Sequence, residues 1–197
     1  MNTGTMKILS LLGSPRKQGN TAKVLSWVEE ELRNQGHSVD RLHLVDYHLE
    51  GCIGCHYCQK NPGRLECTRE DHCLEIFERM IGSDAVIYAT PLYCWDFTSQ
   101  MKPFIDRHLC LVTGPENPAT HKSHIEGKRL ALLVTAADHE GEGNSDLISE
   151  IFRRLAAYTK ARVAAELIVP FCSTPDKIGA EQREWALAFA AKVAGRG

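Results

Sequence analysis

Four cysteines stand at spacings that suit chemistry better than packing: Cys52, Cys55 and Cys58 form a Cys-x-x-Cys-x-x-Cys run, and Cys67 follows after eight intervening residues. Short turns bring successive sulfurs together, so thiolates in this pattern can wrap an iron–sulfur cubane. Cys-x-x-Cys pairs also build zinc sites, and the same thiols can stand free or close a redox disulfide. Cys73 is a spare candidate, which puts five of the eight cysteines within residues 52–73. In a reducing compartment such crowding points to a metal, a cluster or redox work rather than structural disulfides. Cys110 reads instead as a small buried apolar residue.

A second constellation lies near the N-terminus, in Gly13-Ser14-Pro15-Arg16-Lys17-Gln18-Gly19-Asn20-Thr21. A short apolar run precedes it and a helical pattern follows. A phosphate monoester needs several donors and some positive charge, and a helix N-terminus offers both. Ser14, Asn20 and Thr21 add side-chain donors, Arg16 adds a charged fork, and Gln18 lies in the same loop. The two glycines let the backbone turn closely around an anion. The segment lacks the Gly-Lys-Ser/Thr of an ATP loop and the Gly-x-Gly-x-x-Gly of a dinucleotide site.

The elements that must position these residues alternate from end to end. Strands are expected over Lys7–Gly13, Val39–Val45, Asp84–Thr90, Arg129–Ala136 and Val163–Val169. Helices are expected over Thr21–Gln35, from the apparent capping box Thr68-Arg69-Glu70-Asp71 to Gly82, and over Thr98–Leu111, Asn144–Tyr158 and Ile178–Ala194. Val24, Leu25, Val28 and Leu32 face inward from the first helix, Leu74, Phe77 and Ile81 from the second. In the fourth, Leu147, Ile148, Ile151, Phe152 and Leu155 do so. Residues 46–68 are a long loop, and structureless loops of that length usually have a function. Residues 113–127 read as a polar loop. Five strands alternating with five helices imply an α/β domain with a parallel sheet and helices on both faces. Right-handed crossovers then gather the loops 13–20, 46–68, 90–98 and 136–144 at the carboxyl edge, where such folds bind ligands.

The 197 residues, 43% of them hydrophobic, suit one domain over 1–197 with a flexible start over 1–6. The net charge of −2 without a basic block argues against a nucleic-acid partner. No apolar stretch is long enough to span a membrane, and the start lacks the pattern of a signal peptide, so the expected compartment is the cytoplasm.

Gly13-Ser14-Pro15-Arg16-x-x-Gly19-Asn20-Thr21 resembles the phosphate loop of the NADPH-dependent FMN reductase family. The likeness continues through Ser83–Tyr93 and Lys102-Pro103-Phe104-Ile105-Asp106-Arg107, and covers roughly residues 6–170. The Cys52-x-x-Cys55-x-x-Cys58 element resembles one branch, which includes iron–sulfur flavoproteins. The resemblance implies a flavodoxin-like three-layer sandwich with a five-stranded parallel sheet in the order 2-1-3-4-5. It implies FMN held by its phosphate on Ser14, Arg16, Gln18, Asn20 and Thr21, with Pro91, Leu92, Tyr93, Cys94 and Trp95 along the ring. The loop after the fourth strand, with Ala136, Ala137, Asp138 and Gly141, is expected to approach the ring from the other side. His139 is a solvated loop residue or a proton donor. A [4Fe–4S] centre on Cys52, Cys55, Cys58 and Cys67 is also implied, although the Cys58–Cys67 interval exceeds the compact motif of cluster binders.

The activity so implied is an NAD(P)H-dependent FMN oxidoreductase whose acceptor is a quinone, a flavin, or a nitro or azo compound. The alternative is an iron–sulfur flavoprotein that carries electrons to a protein partner. The family also implies a homodimer or homotetramer with the flavin near the interface and the loop 113–127 available for contact with a second subunit.

Overall fold

The computed structural model describes residues 4–195. Its main sheet contains β1 (Lys7–Leu12), β2 (Ser38–His43), β3 (Ala85–Pro91), β6 (Arg129–Thr135) and β7 (Arg162–Val169). A two-residue antiparallel ribbon, β4 (Val112–Thr113) with β5 (Lys122–Ser123), lies between β3 and β6 in sequence. The spatial order is β2-β1-β3-β6-β7, and every neighbouring pair is parallel. Counting only the strands of the main sheet, this is the expected 2-1-3-4-5 order. The chain steps from β1 out to β2 and then crosses back past β1 to β3, which makes β1/β3 the switch point.

The helices are α1 (Asn20–Asn34), α2 (Cys73–Ile81), α3 (Lys102–Asp106), α4 (Asp146–Tyr158) and α5 (Ala180–Val193). Strand alternation divides the core in two. Ile8, Leu12, Ala85, Ile87 and Ala89 face α1 and α5, packing on Val24, Leu25, Val28, Leu32, Phe189 and Val193. Leu9, Leu11, Val86 and Tyr88 face the other layer, packing on Phe77, Met80, Phe104, Ile148 and Phe152. All seven residues of β3 are buried, as a central strand covered on both faces requires.

Several element boundaries differ from the sequence reading, each for a local reason. The backbone after His43 tightens into a 3-10 turn over Leu44–Asp46, so β2 stops early. Thr68 caps nothing; α2 starts at Cys73, whose N–H is taken by the Asp71 carboxylate at 3.1 Å. Its buried face is Cys73, Ile76, Phe77 and Met80, with Leu74 and Ile81 only half-buried. The expected helix over Thr98–Leu111 reduces to the five residues of α3 and a 3-10 turn, His108–Leu111. Pro103 stands near the start of α3, where its missing N–H costs nothing. Leu147 is 54% exposed and does not join the α4 face. Residues 113–127 are not a plain loop, since β4 and β5 pair within that region. Of the start expected to be loose, residues 1–3 lie outside the described residues, while the Met6 carbonyl accepts from Ser38 N–H at 2.9 Å. Among the described residues no helix is long and apolar enough to cross a membrane.

Candidate functional site

The turn from β1 into α1 is held from three sides. Gly13 N–H donates to Ala89 O at 2.8 Å, and Thr98 Oγ1 donates to Gly13 O. A side chain at Gly13 would bring its Cβ within 2.8 Å of Met101 Cε and 3.0 Å of Met101 Cβ, so Met101 would have to shift to admit one. Ser14 is 3% exposed and closes the turn locally, its Oγ accepting Arg16 N–H at 3.1 Å. The N-cap of α1 is Gly19, which has no capping side chain. The amides of Asn20, Thr21 and Ala22 therefore meet no acceptor among the described residues. Uncapped amides, the positive end of a 15-residue helix and the exposed Arg16 form a cradle for an anion. Gln18 is exposed on the same loop.

Two residues expected to offer side-chain donors are engaged elsewhere. Asn20 Nδ2 donates to Cys172 O at 2.6 Å and to Thr174 O at 3.1 Å. Thr21 Oγ1 shares a hydrogen bond of 2.7 Å with Thr135 Oγ1. Both residues face the cradle through backbone N–H, while their side chains lock it to the ends of β6 and β7.

Beyond β3 the chain makes a tight turn. Tyr93 N–H donates to Asp96 O at 3.2 Å, and Asp96 N–H donates to Tyr93 O at 3.1 Å. The two central residues, Cys94 and Trp95, have φ of 48° and 64°. Positive φ at both positions is the type I′ geometry that ordinarily takes Asn-Gly. Holding a cysteine and a tryptophan there stores backbone strain of about 1–3 kcal/mol per residue. The turn presents Tyr93 and Trp95 outward, 45% and 54% exposed. Pro91 is buried, and the half-buried Leu92 donates its N–H to Thr135 O at 2.9 Å.

Ala136 is buried at the end of β6, whereas Ala137, Asp138 and His139 are exposed and Gly141 turns the chain with φ of 102°. Asp138 Oδ1 and His139 Nδ1 are 3.1 Å apart, and the carboxylate raises the imidazole pKa above its ordinary value. Phe171, which no sequence pattern singles out, follows β7 with φ of 53° and is 58% exposed. Its N–H donates to Asp138 O at 3.3 Å. The carboxyl edge thus carries an anion cradle at β1 and exposed aromatic rings beyond β3 and β7.

The loop between β2 and α2 holds the cysteine constellation. Cys52, Cys55, Cys58 and Cys67 line one small pocket together with Arg69, Arg107 and Cys110. Gly54 and His56 adopt positive φ of 67° and 54°, which folds the run between Cys52 and Cys58 back on itself. Gly54 N–H donates to Cys52 Sγ at 3.4 Å, and Cys55 Sγ lies 3.4 Å from Thr68 Oγ1. The Thr68 hydroxyl and the Tyr57 N–H hold the Cys55 thiol below its ordinary pKa. Cys73, the spare candidate, is buried outside the pocket lining, and burial pushes its thiol up to about 12. Cys110, expected to be only a packing residue, is indeed buried but supplies a fifth sulfur to the wall. Among the described residues no three His, Cys, Asp or Glu side chains close on one point as around a single ion.

Behind this pocket sits an ion pair that sequence reasoning missed. Arg107 Nη1 donates to both oxygens of Asp71, at 2.6 and 2.5 Å, and the side chains are 1% and 0% exposed. Asp71 also accepts from Glu50 N–H at 2.7 Å, so it ties the loop to α2 and to the turn after α3. Gln59 Nε2 adds a second tie, donating to Leu109 O and Val112 O at 3.0 Å each. Arg107 Nε and Nη2 and Arg69 Nε are buried without an acceptor.

A doubly wound parallel sheet with an uncapped helix at its switch point is the flavodoxin-like class of α/β protein. The chain belongs to the NADPH-dependent FMN reductase family, whose model matches residues 6–191. It is 33% identical over 190 residues to an iron–sulfur flavoprotein of Archaeoglobus fulgidus, covering 96% of this chain and 79% of that one. It is 32% identical over 102 residues to an iron–sulfur flavoprotein of Methanocaldococcus jannaschii, spanning 52% of this chain and about half, 51%, of that relative. In structure it resembles the NAD(P)H:quinone oxidoreductase of Methanothermobacter marburgensis, with a TM-score of 0.70 at 21% identity over 98% of this chain and 99% of that one. At that identity the likeness is one of fold.

Proposed function

We propose that the chain binds FMN at the carboxyl edge, carries a [4Fe–4S] cluster on Cys52, Cys55, Cys58 and Cys67, and works as an NAD(P)H-linked oxidoreductase. The observation that carries this reading is one pocket walled by five cysteines and a buried arginine with unused donors. Four thiolates suit iron, and a buried cation with free N–H groups suits an anionic group beside it. The unsatisfied amides of α1 suit a phosphate in the same way. Two relatives named as iron–sulfur flavoproteins support the combination.

Bound FMN exchanges one or two electrons, and an iron–sulfur cluster exchanges one. The chain's own work is positioning. Arg16 and the backbone amides of Asn20, Thr21 and Ala22 anchor the phosphate. The turn from Tyr93 to Asp96 holds Tyr93 and Trp95 where they would flank the ring. Ala136, Ala137, Asp138 and Gly141 border the ring from the β6 side. The Thr68 hydroxyl favours ionised sulfur at Cys55. Bound FMN would accept hydride from a reduced nicotinamide and pass electrons to a small acceptor, such as a quinone or an azo compound. A homodimer or homotetramer belongs to the same proposal, with the segment 113–127 available to the second subunit.

The test is an absorption spectrum of anaerobically purified protein with iron, sulfide and zinc assayed on the same sample. A broad absorption beneath the flavin bands, with about four irons and four sulfides per chain, is expected. In Cys55→Ala that absorption is lost while FMN stays bound. A pure flavin spectrum without iron overturns the cluster assignment and leaves an FMN reductase with free thiols, or with zinc if zinc is found.

A further inference from the structure

We infer that Arg107 tunes the cysteine pocket: it keeps Nε–H and Nη2–H unpaired in the wall it shares with the sulfur ligands and favours the more negative, reduced state of whatever redox group they carry. This rests on the cluster reading above.

A buried guanidinium has two requirements, partners for five N–H donors and a balance for its permanent charge. At 1% exposure neither can be met by water. Asp71 balances the charge but occupies only Nη1, which also reaches Glu50 O at 3.4 Å. Nε and Nη2 meet no acceptor, and Arg69 Nε beside them is equally unpartnered. Each buried donor left unmade carries the full cost of its lost hydration. A chain that needed only a packed wall here would do better with an apolar residue. Both arginines line the pocket of Cys52, Cys55, Cys58, Cys67 and Cys110, and among the described residues these donors meet neither an oxygen nor a sulfur acceptor. An anionic group carried on the pocket sulfurs would supply one.

Four thiolates around an iron–sulfur core carry net negative charge, and uptake of one electron adds to it without making or breaking a bond. N–H donors and a nearby cation stabilise the added charge, so they raise the reduction potential. Asp71 fixes the direction in which the free edge of the fork points. Asp71 is itself held by Glu50 N–H and Cys73 N–H.

The experiment is an anaerobic redox titration of the reconstituted holoprotein, with iron and sulfide measured on each sample. The variants are Arg107→Lys and the double variant Asp71→Asn/Arg107→Met, which removes both charges together so that no carboxylate is left unpaired. The expected result is full iron and sulfide content with a cluster couple shifted to more negative potential, further in the double variant. The flavin couple moves much less. A cluster couple at the wild-type potential in both variants overturns the inference, as does an equal shift of flavin and cluster. Wild-type protein that takes up neither iron nor sulfide overturns the cluster reading itself, and the inference with it. That outcome is read before any variant is made, so the two failures are distinct.

Discussion

Asp71 sets both carboxylate oxygens against one nitrogen of Arg107, at 2.6 and 2.5 Å, where neither side chain meets water. The carboxylate belongs to the cysteine loop and the guanidinium to the turn after α3. One ion pair therefore closes the loop onto the body of the domain. Removing a single partner leaves a buried charge uncompensated, which costs about 3–5 kcal/mol. Asp71→Ala is expected to lose that much in urea denaturation. A loss below about 1 kcal/mol would mean that the loop is held by other contacts, Gln59 foremost.

The anion cradle leads to a prediction about affinity. In the proposed function Arg16 is the charged donor to the FMN phosphate, and a hydrogen bond to a charged group contributes about 1.5–3 kcal/mol. Arg16→Ala should weaken FMN binding about ten- to a hundred-fold, measured by fluorescence quenching of the free flavin. Unchanged affinity would move the phosphate away from this loop.

The turn at Cys94 and Trp95 sets stability against binding. Glycine adopts positive φ freely, whereas tryptophan does so at a cost of about 1–2 kcal/mol. Trp95→Gly is expected to raise the unfolding midpoint of the apoprotein and to weaken FMN binding. Higher stability with unaltered FMN affinity would show that the indole does not touch the ring.

His108 predicts a pH dependence remote from the ligand edge. Burial lowers its pKa from 6.5 to about 4, with the Phe104 carbonyl opposing. Nδ1 lies 3.0 Å from Phe104 O and Nε2 lies 2.8 Å from Tyr88 Oη. The carbonyl only accepts, so Nδ1 carries the proton and Nε2 takes the tyrosine hydroxyl. The unfolded chain binds a proton at this residue below pH 6.5 and the folded chain does not until about pH 4. Its stabilising contribution is whole above pH 6.5 and declines as the pH falls toward about 4. The decline amounts to roughly 3 kcal/mol, since each tenfold loss of proton affinity on folding is worth about 1.4 kcal/mol. Denaturation curves at about pH 7.5, 5.5 and 4.5, which bracket that window, should show it in the wild type and show a shallower loss in His108→Gln. Equal losses in both proteins would assign the pH dependence to other groups.

The alternation of strands and helices, and with it the gathering of four loops at one sheet edge, was legible because the two periods alternate cleanly and handedness does the rest, whereas the strand order was implied by the family resemblance. That the segment from Gly13 to Thr21 turns from a strand into a helix was legible from residue types. The use of Asn20 and Thr21 was not, since their side chains bond to residues more than a hundred positions away. The capping box at Thr68 misled because the local pattern competed with Asp71, whose carboxylate serves the start of α2 and Arg107 at once. Arg107 gave no signal of its own: a single arginine in a helical stretch reads as solvated until tertiary packing buries it. Cys110 was legible as buried, but its presence beside Cys58 and Cys67 depends on how the turn after α3 folds over the loop.

The side-chain amide of Asn20 reaches across the carboxyl edge to the carbonyls of Cys172 and Thr174. The first helix of the chain is thereby anchored to the segment that leads into the last. In the proposed function, a phosphate arriving at the amides of α1 would meet donors that are already aimed, so little ordering would remain to be done on binding. Rigidity at the beginning of the chain is thus delivered by its end, and the cradle is completed only after β7 has been laid down.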